Sequence, residues 1–185
     1  MIKRLLIPFL VLVMVFCSAY RKPYKYTILA EKDAYYHNNL GLNYLNDRAY
    51  VPAIQEFKIA ISLSPTTQAS AIFYNNLGET YTFIGYPEAA RICFEDALRF
   101  YGLNFKYYKN LINCYISLGI VNSKTEEFKN SENIYDKLKL GLLYAETGQV
   151  RKGINILDEF CATEPDLIIT PAVKQYIKEL IIKNP

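Results

Sequence analysis

Side chains able to do chemistry are few in this chain. Its 185 residues include one histidine, His37, and four cysteines, Cys17, Cys93, Cys114 and Cys161. A metal site draws several such ligands together, and a thiolate site shows short paired spacings. Cys93, Cys114 and Cys161 stand far apart inside helical segments, so each reads as a small buried hydrophobe. Adjacent carboxylates occur as Glu126-Glu127 and Asp158-Glu159. Acid–base work needs one carboxyl held protonated, whereas both pairs lie in polar helical stretches that read as solvated faces. No Gly-rich phosphate loop and no nucleophile–base pair of recognised spacing is present. The residues point to neither a catalytic centre nor a cofactor.

What positions side chains here is a set of helices with one recurring signature. Leu40-Gly41-x-x-Tyr44 returns as Leu77-Gly78-x-x-Tyr81, Leu111-Ile112-x-x-Tyr115 and Leu140-Gly141-x-x-Tyr144. Ala53, Phe57, Ala60 and Pro65 follow the first; Ala90, Phe94 and Ala97 follow the second. His37, Leu40 and Tyr44 share one helical face, and Gly41 leaves room for a partner helix to approach. The helices predicted for the first unit run from about Glu31 to Asn46 and from Tyr50 to Leu63. In the second unit, Gly85 ends one helix and Pro87 begins the next.

This order of residues resembles the tetratricopeptide repeat, a helix–turn–helix unit with a period of about 34 residues. The leucines are spaced by 37 residues (40 to 77), 34 (77 to 111) and 29 (111 to 140). The surplus of three is expected in the Thr67–Ala71 linker. The deficit of five falls between Gly119 and Ile134, where Ser123-x-x-Glu126 reads as a capping box. The resemblance implies an all-α, right-handed solenoid of about four such units over residues 33–169. His37 then occupies the repeat's first aromatic position, as a packing ring. Residues 170–185 read as a capping helix, with Thr170 as N-cap, Pro171 in the first turn, and Val173, Tyr176, Ile177, Leu180 and Ile181 on one face.

The first 19 residues are a separate object. Lys3 and Arg4 precede an apolar run from Leu5 to Phe16, and Cys17-Ser18-Ala19 supplies small residues before the basic stretch from Arg21 to Lys25. That is the layout of an export leader, with residues 20–32 as a linker. The run is shorter than the ~20 residues a spanning helix needs. Cleavage after Ala19 would release a chain starting near Tyr20. Alternatively Cys17 is the lipid acceptor of a bacterial lipoprotein, although Phe16 stands where such signals carry a small residue. Lipidation is the preferred reading, because Cys17 closes the apolar run. The chain is therefore expected to be exported, periplasmic and attached to a membrane through its leader or a lipid.

Repeats of this family bind proteins along the concave face of their first helices. By that resemblance the groove comprises Tyr35, Asn38, Leu42 and Leu45, then Ile72, Asn75, Glu79 and Phe83. It continues with Lys106, Lys109, Asn113 and Ile116, and ends with Tyr135, Leu138 and Leu142. The mixture is apolar, with a basic spot at Lys106 and Lys109 expected to steer an acidic segment. The carboxylate clamp of some family members is not expected: Lys109 and Asn113 match its opening pair, but Lys139 and Leu42 stand where Asn is required. A net charge of +3 is too small to argue for nucleic acid. The implied function is a protein-interaction scaffold of the cell envelope, binding a peptide or helix of a partner. Similar exported proteins assist outer-membrane assembly or pilus biogenesis, and nothing here selects either. The competing class is an enzyme, or an enzyme's regulatory subunit, acting on envelope peptides or cell wall.

Overall fold

Apolar residues three and four apart close the chain into nine helices among the residues described, 33–184, in the computed structural model. They are α1 (Ala34–Asn46), α2 (Tyr50–Leu63), α3 (Gln68–Phe83), α4 (Pro87–Phe100), α5 (Phe105–Ser117), α6 (Val121–Lys129), α7 (Ile134–Glu146), α8 (Val150–Thr163) and α9 (Thr170–Lys183). Successive helices pair as α1–α2, α3–α4 and α7–α8, while the short α6 packs more on α7 than on α5, and α9 packs on α8. The architecture is an all-α helical repeat. The leader with Cys17 and the linker lie outside the described residues. No described helix is long and apolar enough to cross a membrane.

Every first helix ends in the same turn. The carbonyl of the signature tyrosine accepts from the amide five residues on: Ala49 to Tyr44 at 2.8 Å, Tyr86 to Tyr81 at 2.9 Å, Ile120 to Tyr115 at 3.2 Å and Gln149 to Tyr144 at 2.9 Å. This bond needs a left-handed residue just before the donor. Gly85, Gly119 and Gly148 supply it with φ of 78°, 69° and 88°, whereas the first unit uses Arg48 at φ 58°. A side chain in that conformation is strained. Arg48→Gly should therefore raise stability by about 0.5–1 kcal/mol, after allowing for glycine's more flexible unfolded chain. A lower denaturation midpoint for this variant in urea would contradict the assignment.

Packing within each pair follows from the small residues. A methyl group on Gly41 would lie 2.7 Å from the Phe57 ring, and one on Gly78 would lie 2.6 Å from Phe94. Ala53 and Ala90 are wholly buried where the helices cross, beside Phe57 and Phe94. Each buried ring contributes roughly 2–3 kcal/mol by leaving water. His37, buried at the first aromatic position, has its Nδ1 2.6 Å from Oε2 of Glu56, joining α1 to α2.

The two departures from a regular period have physical outcomes. The surplus of three residues is not a loop: α3 has 16 residues where α1, α5 and α7 have 13. The insertion became about one added helical turn at the start of α3. The deficit of five shortens α6 to nine residues, against 14 in α2, α4 and α8. Because α6 begins at Val121, Ser123 is internal to it and caps nothing. Thr170 is not an N-cap either. It lies inside α9, and its hydroxyl donates to the Glu164 carbonyl at 2.6 Å.

Candidate partner-binding groove

The first helices α1, α3 and α5 are held in register by a ladder of amides and ions. Asn76 Nδ2 donates to Asn38 Oδ1 at 2.8 Å, tying α3 to α1. Asn110 Nδ2 donates to Asn75 Oδ1 at 2.8 Å and to Glu79 Oε1 at 2.9 Å, tying α5 to α3. Asn75 Nδ2 also donates to Glu79 Oε1, at 2.9 Å. Asn38 and Asn75 are consequently buried, at 4% and 3% exposure. They tie neighbouring first helices together and offer almost no surface to a partner, which corrects the expectation for both. Asn76 and Asn110, which donate these bonds, are not among the residues that the repeat pattern singles out.

The basic spot is also different from the expectation. Lys106 Nζ lies 2.5 Å from Glu79 Oε1. Lys109 Nζ lies 3.6 Å from Glu146 Oε1 and 4.7 Å from the centre of the Tyr176 ring. Both ammonium groups, though exposed to solvent, thus face carboxylates of the same chain. Opposite charges within this range cancel most of the field that would steer an acidic segment.

Over α1, α3 and α5 an apolar surface remains. Tyr35, Ile72, Phe83 and Ile116 are 54%, 41%, 65% and 36% exposed. Leu42 and Leu45 are half-buried between them, and Asn113 is exposed. Two of these rings are braced from behind. Tyr35 meets Phe73 edge-on at 5.5 Å, and Phe83 stacks on Tyr50 at 6.3 Å. Bracing lowers the entropy a partner must remove on binding. Tyr50 escaped the sequence reading because it belongs to a second helix.

Over α7 the surface is closed. Leu138 and Leu142 have no exposure and belong to one continuous core with Val173, Tyr176, Ile177 and Leu180 of α9. They are therefore not partner-contacting residues. Tyr135 is half-buried and stacks on Tyr108 at 6.2 Å. The last helix, α9, reaches beyond its neighbour α8. Tyr176 places its ring 5.5 Å from Phe105 at the start of α5, and its hydroxyl donates to Glu146 Oε1 at 2.8 Å. Burial first, and then the Glu146 carboxylate, push the Tyr176 phenol above its ordinary range. The notable residue missed by the sequence reading is this tyrosine, whose place on the apolar stripe was legible but whose target was not.

The cysteines within the described residues are free and buried. Burial pushes the Cys93 thiol up to about 12 and the Cys114 thiol to about 11. Cys114 Sγ donates to the Pro87 carbonyl at 2.9 Å. Thiols so far from ionising are poor nucleophiles at neutral pH. Among the described residues, no group of three or more His, Cys, Asp or Glu side chains is placed to hold a metal.

Comparison with known proteins bears on the second unit and on the architecture. The tetratricopeptide repeat family matches residues 71–101, which span most of α3 and all of α4. No curated protein matches the sequence. Among solved structures, a tetratricopeptide repeat protein from Parabacteroides merdae aligns with a TM-score of 0.50 and 16% identity, over 81% of this chain and 60% of its own. The pilF protein of Pseudomonas aeruginosa aligns with a TM-score of 0.50 and 16% identity, over 79% of this chain and 68% of its own. The chain thus spans about three-fifths of the first of these. The chain is similar in fold to tetratricopeptide repeat proteins, and its second unit matches the repeat itself.

Proposed function

We propose that this chain is a protein-interaction module that binds a peptide or helix of a partner on the concave face of α1, α3 and α5. The observation that carries the reading is the row of exposed apolar side chains, Tyr35, Ile72, Phe83 and Ile116, drawn from three successive first helices. Large apolar side chains gathered on one concave surface mark a contact site. Because Lys106 and Lys109 already have carboxylate partners, the segment recognised is apolar and largely uncharged at its contact face. The test is crosslinked capture from a cell-envelope fraction, comparing the parent with Phe83→Ala. Phe83 is 65% exposed, so folding stability should change little. Loss of an interface anchor should weaken capture by about 2 kcal/mol, near thirtyfold. Capture should also vary little with salt, since Lys106 and Lys109 already face carboxylates. If Phe83→Ala unfolds the protein while its folded remainder captures the partner normally, the groove is not the site.

The proposed location is the bacterial cell envelope, with the chain exported and held as a lipoprotein through Cys17. Support comes from the sequence alone: the positive start, the apolar run and the Cys at its end. Labelled palmitate should enter the protein, and Cys17→Ala should abolish the label and release the chain from membranes. An N-terminus near Tyr20 with no label would establish plain secretion instead.

A further inference from the structure

The last two signature tyrosines reach toward the second helix of the preceding unit and meet opposite surroundings there. The Tyr115 hydroxyl donates to Glu95 Oε1 at 3.2 Å, and Glu95 is the ninth residue of α4. The ninth residue of α6 is Lys129, and its ammonium stands close to the Tyr144 hydroxyl. An ammonium carries hydrogens and no lone pair, so it cannot accept the phenol's proton. Tyr144 is 4% exposed, and its hydroxyl has no hydrogen-bond acceptor among the described residues. A buried donor in that state is costly and calls for an acceptor. Tyr144 borders a cavity of about 310 Å³ between α6, the end of α7 and the start of α8, with Asn122, Thr125, Gln149 and Lys152 in its polar lining. Lys152 Nζ lies 4.0 Å from the centre of the Tyr144 ring, and no carboxylate of the described residues pairs with it. Helix α8 begins at this cavity with no side-chain cap and no acidic residue in its first turn, so no side chain offsets the positive end of its dipole.

We propose that this cavity binds a phosphate group, which accepts the Tyr144 hydroxyl hydrogen and faces the Lys129 and Lys152 ammonium groups and the start of α8. Donors converge here from α6, α7 and α8. A tetrahedral group with three strong acceptor oxygens can meet all three, whereas a planar carboxylate has two. A charge of about −1.5 to −2 near neutral pH suits two ammonium groups and a helix N-terminus. Glu126 pairs with Lys129 at 2.6 Å, and its side chain is 67% exposed. Such a surface pair is weak, so the carboxylate can turn outward when a dianion arrives. The site lies apart from the concave apolar row and does not depend on it.

The test is titration of the purified full chain with inorganic phosphate, followed by calorimetry and by amide NMR shifts. One saturable site is expected, with the largest shifts at Lys129 and over Gln149 to Lys152. Lys152→Met, at an exposed position, should keep the melting temperature and weaken binding by about tenfold, through loss of one charge-assisted contact. Tyr144→Phe removes only the hydroxyl. It should weaken binding by a similar factor, yet leave the melting temperature unchanged or raised, since an unpaired donor goes with it. Glu126→Gln should tighten binding severalfold. Glycerol phosphate binding more tightly than inorganic phosphate would assign the site to an organic phosphate ester, and the reverse order to the free ion. The proposal is overturned if the shifts do not saturate and spread over surface lysines, or if Lys152→Met binds like the parent. It is overturned equally if Tyr144→Phe lowers the melting temperature and leaves binding unchanged. Should Tyr144→Phe fail to fold, Lys152→Met decides the matter. No protein partner takes part in the measurement, so its failure is separable from failure of the groove reading.

Discussion

Gly153→Ala is expected to lower stability by about 2 kcal/mol, although alanine is the better helix former. Gly153 lies in α8 at its crossing with α7, where the other regular units carry Ala53 and Ala90. A methyl group there would stand 2.7 Å from the Ala145 backbone nitrogen and 2.8 Å from the Gly141 carbonyl oxygen. Both obstacles are main-chain atoms within a helix and cannot turn aside. Separating the two helices costs about 3 kcal/mol, while the gain in helix propensity returns about 1 kcal/mol. For a domain of this size the melting temperature should fall by about 4–8 °C, read by circular dichroism. Gly141→Ala is the control. Its methyl group would meet Leu157 side-chain atoms at 2.8 Å, and a side chain can swing, so the loss there should be smaller. Equal melting temperatures for Gly153→Ala and the parent would show that α7 and α8 do not approach so closely.

Removing the carboxylate of Glu56 should have an effect of similar size for a different reason. His37 and Glu56 are 1% and 4% exposed, and their side chains meet at 2.6 Å across α1 and α2. Glu56→Ala takes away this buried polar contact between α1 and α2, at a cost of about 2–3 kcal/mol. Glu56→Gln keeps an oxygen of nearly the same reach and should cost about 1 kcal/mol. A pair of apolar replacements, His37→Phe with Glu56→Met, should recover most of the loss, since a buried polar pair is often matched by well-packed apolar groups. Urea denaturation of the parent, His37→Phe, Glu56→Met and the double variant closes a double-mutant cycle. Additive losses would show that the two side chains do not act together.

The scaffold was legible because its signals are local. Leu-Gly-x-x-Tyr fixes a helix face and a close approach within five residues, and Gly85 with Pro87 marks a helix boundary by backbone chemistry alone. The site was less legible because its decisive contacts are long-range. Nothing in the spacing of Lys106 or Lys109 announces that Glu79 and Glu146 neutralise them from other helices. Leu138 and Leu142 fit the groove pattern of the earlier units, but the continuous core around α7 buries them. Insertions were read correctly as to size and wrongly as to form, since three added residues at a helix start can be absorbed as a turn without disturbing the packing face. The pairing of His37 with Glu56 escaped for a related cause: the repeat pattern names an aromatic ring at that place and says nothing of its acceptor.

The turn shared by all four units has a consequence for how the chain finds its fold. Each tyrosine carbonyl is satisfied by an amide five residues away, so a pair of antiparallel helices can close before any distant segment arrives. Contacts between neighbours in sequence keep the contact order low, and proteins of that kind fold in roughly microseconds to milliseconds. Unit two, with glycine at its turn and proline at the next helix start, is the natural nucleus from which order spreads both ways. Arg48 makes the first unit slower to close, while the nine-residue α6 gives the third little of its own to close upon. Among the described helices, folding is therefore expected to begin at α3 and α4 and to reach α1 and α9 last.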